Sequence, residues 1–346
     1  MTTYLITGIS GFTGYHIAKR LAQEKDAKLI GIDIAEFQYS DLKEHVEFHK
    51  GDIRDQELVE KISQGVDVII HSAAALPLYS EKEIFSTNVD GTRTLLQAAL
   101  TNKVKRFIHI SSTAVYGIPK VHPVPEDAPL EGVGPYGKSK IMAERLCEEY
   151  RNKGLVVTIL RPKTFAGPYR LGVFTVLCDW VYSKKNVPLI GSGKNHYQLL
   201  HVYDLVEAIY QVAHAPKEKV NDVFNVGSTE FMTMKEDLQA LLDHAGFGKK
   251  VVPIPKWLVV PPLIVMDKLH LSPLYEWVYE TADQDHYVSV DKLKEAIGFE
   301  PKYSSAQVWI DTYDWYAQNA GNIKKSGIDH RSGWKQGLLG AAKWFF

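Results

Sequence analysis

Up to about residue 161 the chain alternates short β-rich apolar runs with longer stretches of helical period. The runs predict strands over 4–7, 29–33, 46–50, 66–71, 106–111 and 156–161, and the longer stretches predict helices over 14–24, 55–63, 84–101 and 136–153. Alternation of this kind is the pattern of parallel strands joined by crossover helices, so the fold class expected is α/β, a doubly wound parallel sheet of Rossmann type. Such sheets bind ligands beyond the carboxyl ends of their strands. Residues 1–161 therefore read as a ligand-binding domain. From Pro162 onward prolines and aromatics become denser and the pattern loses its regularity, which predicts a smaller, mixed substrate-binding region over 162–321. The chain is expected to return to the sheet near 201–226, in a strand over 223–226. Residues 322–346 read as a cationic amphipathic tail, and no internal repeat or low-complexity segment interrupts the order.

The first strand runs into Thr7-Gly8-Ile9-Ser10-Gly11-Phe12-Thr13-Gly14, where a helix begins. A strand turning abruptly into a helix gathers unpaired backbone N–H groups and a positive dipole end at one point, a site for a pyrophosphate. Gly8 permits the tight turn, Gly11 lets phosphate approach the backbone and Gly14 lets helix pack on strand, with Ser10, Phe12 and Thr13 completing the loop. Nineteen residues past Gly14 the second apolar run ends in Asp33, placed to accept hydrogen bonds from an adenosine ribose. A carboxylate there repels a 2′-phosphate, and no arginine follows in Ile34-Ala35, so the cofactor expected is NAD. Asp52 and Ile53 follow the third strand, at the adenine edge. Ser72, Ala73 and Ala74 follow the fourth, where small side chains let the nicotinamide half lie against the backbone.

Composition narrows the classes. With 40 Lys and Arg against 41 Asp and Glu the formal charge is −1, which supplies no field for nucleic acid. Two cysteines, Cys147 and Cys178, and a first strand with no signal peptide ahead of it predict reduced thiols in the cytoplasm. The 13 histidines show no ligand spacing, so no metal is expected. The longest apolar run, 258–266, contains Pro261 and Pro262 and falls well short of the roughly 20 residues needed to span a bilayer.

Chemistry is expected at Ser112, which ends the fifth strand, and at Tyr136 and Lys140, four apart on one helix face. A phenol becomes a useful acid/base when its pKa of about 10 is brought toward neutrality, and an adjacent ammonium does this by stabilising the phenolate. Ser112 can hydrogen-bond the same substrate oxygen.

The glycine loop, Ser112-Thr113-Ala114-Val115-Tyr116-Gly117, the Tyr136 and Lys140 pair, and Arg161-Pro162 followed by Gly167-Pro168 together resemble the extended short-chain dehydrogenase/reductase family. That family includes nucleotide-sugar epimerases, dehydratases and 3β-hydroxysteroid dehydrogenases, and the resemblance spans roughly residues 3 to 318. It implies that Tyr136 transfers the proton, Lys140 holds the nicotinamide ribose and tunes Tyr136, and Ser112 positions the reacting oxygen. It adds Asn88, Ser111, Arg161 and Pro162 to the cofactor set, with a structural part for Asn88, and it implies a homodimer built from the helices at 84–101 and 136–153.

Departures from the family pattern bear on substrate. The 4,6-dehydratases carry an Asp-Glu pair where this chain has Thr113-Ala114, so water elimination is set aside. Sugar-nucleotide enzymes usually place a phosphate-binding arginine at the position of Tyr197, followed by an Asp where Gln198 stands. After Arg161-Pro162 the chain reads Lys163-Thr164-Phe165, without the asparagine often found in the sugar enzymes. The apolar stretch 257–266 and the residues 269–277 then favour a less polar hydroxy compound, like that of the 3β-hydroxysteroid dehydrogenase branch, although a packed core helix explains most of these residues singly. The tail, with five Lys or Arg and one Asp from Lys324 onward, also fits peripheral membrane contact. The leading expectation is an NAD-dependent oxidoreductase acting on a secondary alcohol. A nucleotide-sugar 4-epimerase using the same residues is the alternative, and a catalytically silent NAD-sensing protein is the third.

Overall fold

The computed structural model describes residues 1–268, 279, 281–323, 343 and 346. The chain forms two compact units, the first made of Met1–Lys163, Val202–Gly227 and Val288–Pro301, the second of Thr164–His201, Ser228–Tyr287 and Lys302–Phe346.

The first unit is built on a seven-stranded sheet, all of whose pairings are parallel. Its strands are β1 (Thr2–Thr7), β2 (Ala27–Asp33), β3 (Val46–Lys50), β4 (Val68–His71), β5 (Arg106–Ile110), β6 (Val157–Pro162) and β10 (Val223–Val226). They lie in the order β10-β6-β5-β4-β1-β2-β3. β4, β5, β6 and β10 are buried at every residue, as strands covered on both faces must be, and this is why apolar residues fall on both of their faces rather than at alternate positions, with polar side chains such as His71, Arg106 and Asn225 buried among them. The register sets Thr7 of β1 beside Ile32 of β2 and His71 of β4, so three strand ends finish level and Gly8, Asp33 and Ser72 emerge along one edge. One face carries Leu5, Ile69, Phe107 and Val157, packed with Leu95 and Leu96 of helix α4 (Gly91–Thr101) and Leu146 and Cys147 of helix α5 (Gly134–Asn152).

Helix boundaries follow local chemistry. α1 (Phe12–Leu21) starts at the glycine loop, α2 (Gln56–Ile62) at the cap of Asp55, and α5 one residue before Pro135, whose missing N–H costs nothing in a first turn. The helix expected over 84–101 begins earlier, at α3 (Glu81–Phe85), because Ser80 and Glu83 form a capping box. A π-helical segment, Ser86–Asp90, then separates α3 from α4 and presents Asn88 to the interior. The helix Val202–His214 belongs to this unit together with β10, and so does the short helix Asp291–Ile297, a second return of the chain that no periodicity in the sequence marks.

The second unit holds two small parallel pairs, β7 (Phe165–Ala166) with β9 (Leu200–His201), and β8 (Val187–Ile190) with β11 (Val251–Ile254). Around them Phe174, Trp180, Leu238, Leu241, Trp309 and Tyr316 form a separate core. Residues 256–268 are a helix, but Trp257 is 76% exposed and Leu258 54%, with Leu263 buried, so the expectation of a packed core helix is corrected here. Residues 269–277 and the amphipathic tail, apart from Asn322, Ile323, Lys343 and Phe346, lie outside the described residues. Among the described residues no helix is long and apolar enough to cross a membrane, and no group of His, Cys, Asp or Glu could hold a metal.

Candidate active site

The glycine loop is shaped by close backbone approach. A Cβ on Gly14 would stand 2.2 Å from the carbonyl oxygen of Gly8 and 2.5 Å from Cα of Ile9, and one on Gly8, whose φ is +70°, would meet Cα of Ala73 at 2.8 Å. Gly11 caps α1 without any side-chain hydrogen bond, which leaves the positive end of the helix to an anion. Asp33 fixes this loop: its carboxylate accepts from the backbone N–H of Ser10 (3.0 Å) and of Ala35 (2.9 Å). The cradle therefore fits a dinucleotide, with Ser10, Phe12 and Thr13 at the turn into the helix and Asp33 beside it.

At the neighbouring strand ends, Ser72 Oγ donates to the carbonyl of Thr7 (2.7 Å) and the N–H of Ala73 donates to Thr7 Oγ1 (3.1 Å). Ala73 and Ala74 are half-buried there, and their short side chains leave room above the backbone. Asp52 is held by Arg54 through Nε (2.9 Å) and Nη2 (2.5 Å), and that guanidinium holds its carboxyl below the usual range. Ile53 is buried against Gly91.

The structure brings the catalytic candidates to one end of β5 and the first turns of α5. Ser112 caps a short 3-10 turn, Thr113–Tyr116, by accepting from the N–H of Ala114 (3.1 Å). Gly137 lets α5 settle on that turn, since a Cβ there would lie 2.9 Å from the Ala114 carbonyl oxygen. Tyr136 sits one residue earlier. Lys140 is fully buried; its Nζ donates to the carbonyl of Ile110 (2.9 Å) and lies 5.9 Å from the centre of the Tyr136 ring. Burial pushes the Lys140 ammonium down to about 8, against the pull of the Glu144 carboxylate.

Three members of the expected cofactor set have side chains engaged by the protein itself. Arg161, buried at the end of β6, gives Nε and Nη2 to Glu144 (3.0 and 2.6 Å) and Nη1 to Tyr116 Oη and the Glu126 carbonyl (both 2.8 Å), so its side chain is a core pin rather than a cofactor ligand. Ser111 points the same way, donating to Glu144 Oε1 at 2.5 Å. Asn88 binds both the N–H and the carbonyl of Ala75 (2.8 and 3.1 Å) and donates to Ser139 Oγ (3.0 Å), the structural part the resemblance implied. Pro162 is buried and pairs in register with Val226 of β10. Sequence reasoning missed Glu144, whose helical position reads as a surface charge, and His71, which reads as the last residue of an apolar strand.

Comparison with known proteins supplies the last observation. A model of the "NAD dependent epimerase/dehydratase family" matches residues 4–227. An uncharacterized protein of Sinorhizobium fredii, y4nG, is 33% identical over 97% of this chain and 84% of its own length. A UDP-glucose 4-epimerase of Lactobacillus helveticus is 28% identical over 79% of this chain and 91% of its own. The crystal structure of DesIV, a dTDP-glucose 4,6-dehydratase from Streptomyces venezuelae with NAD and TYD bound, superposes with a TM-score of 0.75 at 26% identity, covering 92% of this chain and 98% of that one. With its seven-stranded Rossmann sheet and glycine cradle, the chain belongs to the NAD-dependent epimerase/dehydratase family, enzymes of the extended short-chain dehydrogenase/reductase type that use NAD.

Proposed function

We propose that the protein oxidises a secondary hydroxyl of a nucleotide sugar, in the manner of a 4-epimerase, through Ser112, Tyr136 and Lys140. The observation that carries the chemistry is the buried Lys140 beneath the ring of Tyr136, on a helix whose first turn abuts the Ser112 turn. Bound at the glycine loop, NAD supplies the acceptor and donor of hydride. The Tyr136 oxygen takes the hydroxyl proton and returns it, a role suited to a phenol beside a cation. The Lys140 ammonium stabilises the phenolate, and Ser112 Oγ donates to the reacting oxygen and fixes its distance from Tyr136. The relatives support the nucleotide-sugar class, since those with named activities act on UDP- or dTDP-sugars by their names. Thr113 and Ala114 carry no carboxylate, which speaks against dehydration at this turn.

A second reading, a dehydrogenase for a less polar hydroxy compound, is favoured by one observation. At position 197, where the sugar enzymes usually hold an arginine, the phenol of Tyr197 is hydrogen-bonded to Thr164 Oγ1 (2.9 Å), and Gln198 donates to the carbonyl of Ser228 (2.7 Å). Neither replaces a bidentate phosphate clamp. Incubation with UDP- and dTDP-sugars, sterols and other hydroxylated lipids separates the two. Sugar interconversion without net NADH supports the epimerase, NADH accumulating with a lipid alcohol supports the dehydrogenase, and turnover of neither class removes both.

A further inference from the structure

Behind the glycine loop lies a buried chain of hydrogen bonds that the chemistry above does not use. It begins at the N–H of Ala73, which donates to Thr7 Oγ1 (3.1 Å). Thr7 Oγ1 is 2.8 Å from His71 Nδ1, and His71 Nε2 is 2.9 Å from Thr92 Oγ1. The Thr92 hydroxyl donates to the carbonyl of Asn88 (2.7 Å), the Asn88 amide donates to Ser139 Oγ (3.0 Å), and Ser139 donates to the carbonyl of Tyr136 (2.8 Å). Five side chains, those of Thr7, His71, Thr92, Asn88 and Ser139, thus connect the backbone under the cofactor turn with the backbone of the phenol.

The direction of each bond is determined by counting hydrogens. Thr92 has one, given to Asn88, so its oxygen must accept from His71 Nε2–H. The Nδ1 of a neutral imidazole is then an acceptor, filled by the hydroxyl of Thr7, which accepts in turn from Ala73. A protonated ring would have to donate at both nitrogens and would strand the Thr7 hydrogen. The surroundings also oppose protonation: the ring is 1% exposed, and burial, with the Lys140 ammonium adding to it, pushes the imidazole down to about 3. The other titratable group facing it is His109, 5.3 Å away between ring centres, buried and likewise held well below its ordinary range by burial and by Lys140. The two rings differ in one respect. His71 has a partner on each nitrogen, whereas neither nitrogen of His109 has one among the described residues.

We propose that His71 is a positioning residue, fixed as the neutral Nε2–H tautomer, that holds the NAD-binding turn and the Tyr136 helix in one register. Its contact side is the seat of Gly8 on Ala73, so loss of the chain loosens the surface on which the dinucleotide rests. The inference rests on NAD being held at the glycine loop and not on the substrate, so it can fail while the reading of Ser112, Tyr136 and Lys140 stands, and the reverse.

The test uses the whole chain and NAD itself as the probe. Nitrogen NMR of the histidine rings between about pH 5 and 9 should show His71 unprotonated at Nδ1, protonated at Nε2 and not titrating. Calorimetric titration with NAD should show weaker binding by on the order of tenfold for Thr92→Val, which removes a hydroxyl that makes two bonds of the chain, and no less for His71→Phe. The core variant Ile69→Val serves as a control that lowers the melting temperature with NAD affinity unchanged. Should His71→Phe not fold, Thr92→Val and the wild-type tautomer carry the test. An Nδ1–H tautomer, a His71 that titrates in this range, or NAD affinity within twofold of wild type in Thr92→Val overturns the proposal.

Discussion

The Arg161 and Glu144 pair gives the sharpest stability prediction. Both side chains are buried, at 4% and 1% exposure, and they meet through Nε at 3.0 Å and Nη2 at 2.6 Å. Ser111 and Tyr116 complete the polar shell. Burial by itself would lower the Arg161 pKa, yet the Glu144 carboxylate outweighs it and holds the guanidinium raised, so Arg161 stays charged at any working pH. Glu144→Gln keeps the volume and removes the charge, which leaves a buried cation uncompensated at a cost of about 3–5 kcal/mol. At about 2–4 °C per kcal/mol for a unit of this size, the melting temperature should fall by on the order of 10 °C. Arg161→Met should cost a similar amount by orphaning the carboxylate. The double variant should be more stable than the sum of the two losses, because neither charge remains. Calorimetry and urea titration read the cycle, and NAD titration of folded Arg161→Met reads the second half of the claim, unchanged affinity. An Arg161→Met protein of wild-type stability that binds NAD tenfold more weakly would return Arg161 to the cofactor site and refute the reasoning.

Three further outcomes are expected. Tyr136→Phe should lower turnover by about 10²–10⁴-fold, the range for a lost general acid/base, while calorimetry finds NAD affinity unchanged; undiminished turnover would discard the proton-transfer role. Gly14→Ala sets a Cβ against two backbone atoms that cannot move aside, so NAD binding should be lost and the melting temperature lowered; an alanine variant with normal affinity contradicts the cradle. Lys140 gives a pH dependence. Its pKa is about 8 folded against the ordinary 10.5, so between these values the unfolded chain holds a proton that the folded chain lacks, and stability rises with pH there. The burial cost, about 3 kcal/mol, is fully present below pH 8 and is relieved by about pH 10.5. Urea titrations of wild type and Lys140→Met should therefore show wild type gaining on the variant as pH rises from 7 to 10; a constant difference would mean that Lys140 is not charged and buried.

The sheet was legible because its strands obey a simple physical rule. A parallel strand buried on both faces favours apolar residues at successive positions, and 223–226 comes out with the bounds read from the pattern, as does the less buried edge strand 46–50, while the others shift by one or two residues. Places where the pattern misled are those where tertiary contact overrides it. Helix α3 begins before the apolar period does, through a capping box, and Asp291–Ile297 is too short for periodicity to announce. The stretch 257–266 reads as interior by composition but exposes Trp257 and Leu258, since hydropathy states a cost of exposure and not where the chain lies.

The site divides along the same line. Glycines and small residues carry their reasons in the sequence, because Gly8 and Gly14 are needed wherever a strand turns so tightly into a helix. Polar residues do not, since a charge on a helix is solvated in most proteins and paired in few. Glu144 lies four residues beyond Lys140 and so on the same face of α5, pairs with Arg161 some seventeen residues away in sequence, and thereby occupies the Arg161 guanidinium. His71 is harder still, because its partners Thr7 and Thr92 are 64 and 21 residues distant. The buried polar chain from Ala73 to Tyr136 therefore depends on the strand register: shift β4 by one residue against β1 and Thr7 faces Ile70 instead of His71. A substitution that weakened this register should act on NAD affinity before it acts on the apolar core, which is why the affinity of Thr92→Val, and not its melting temperature, decides between a packed histidine and a positioning one.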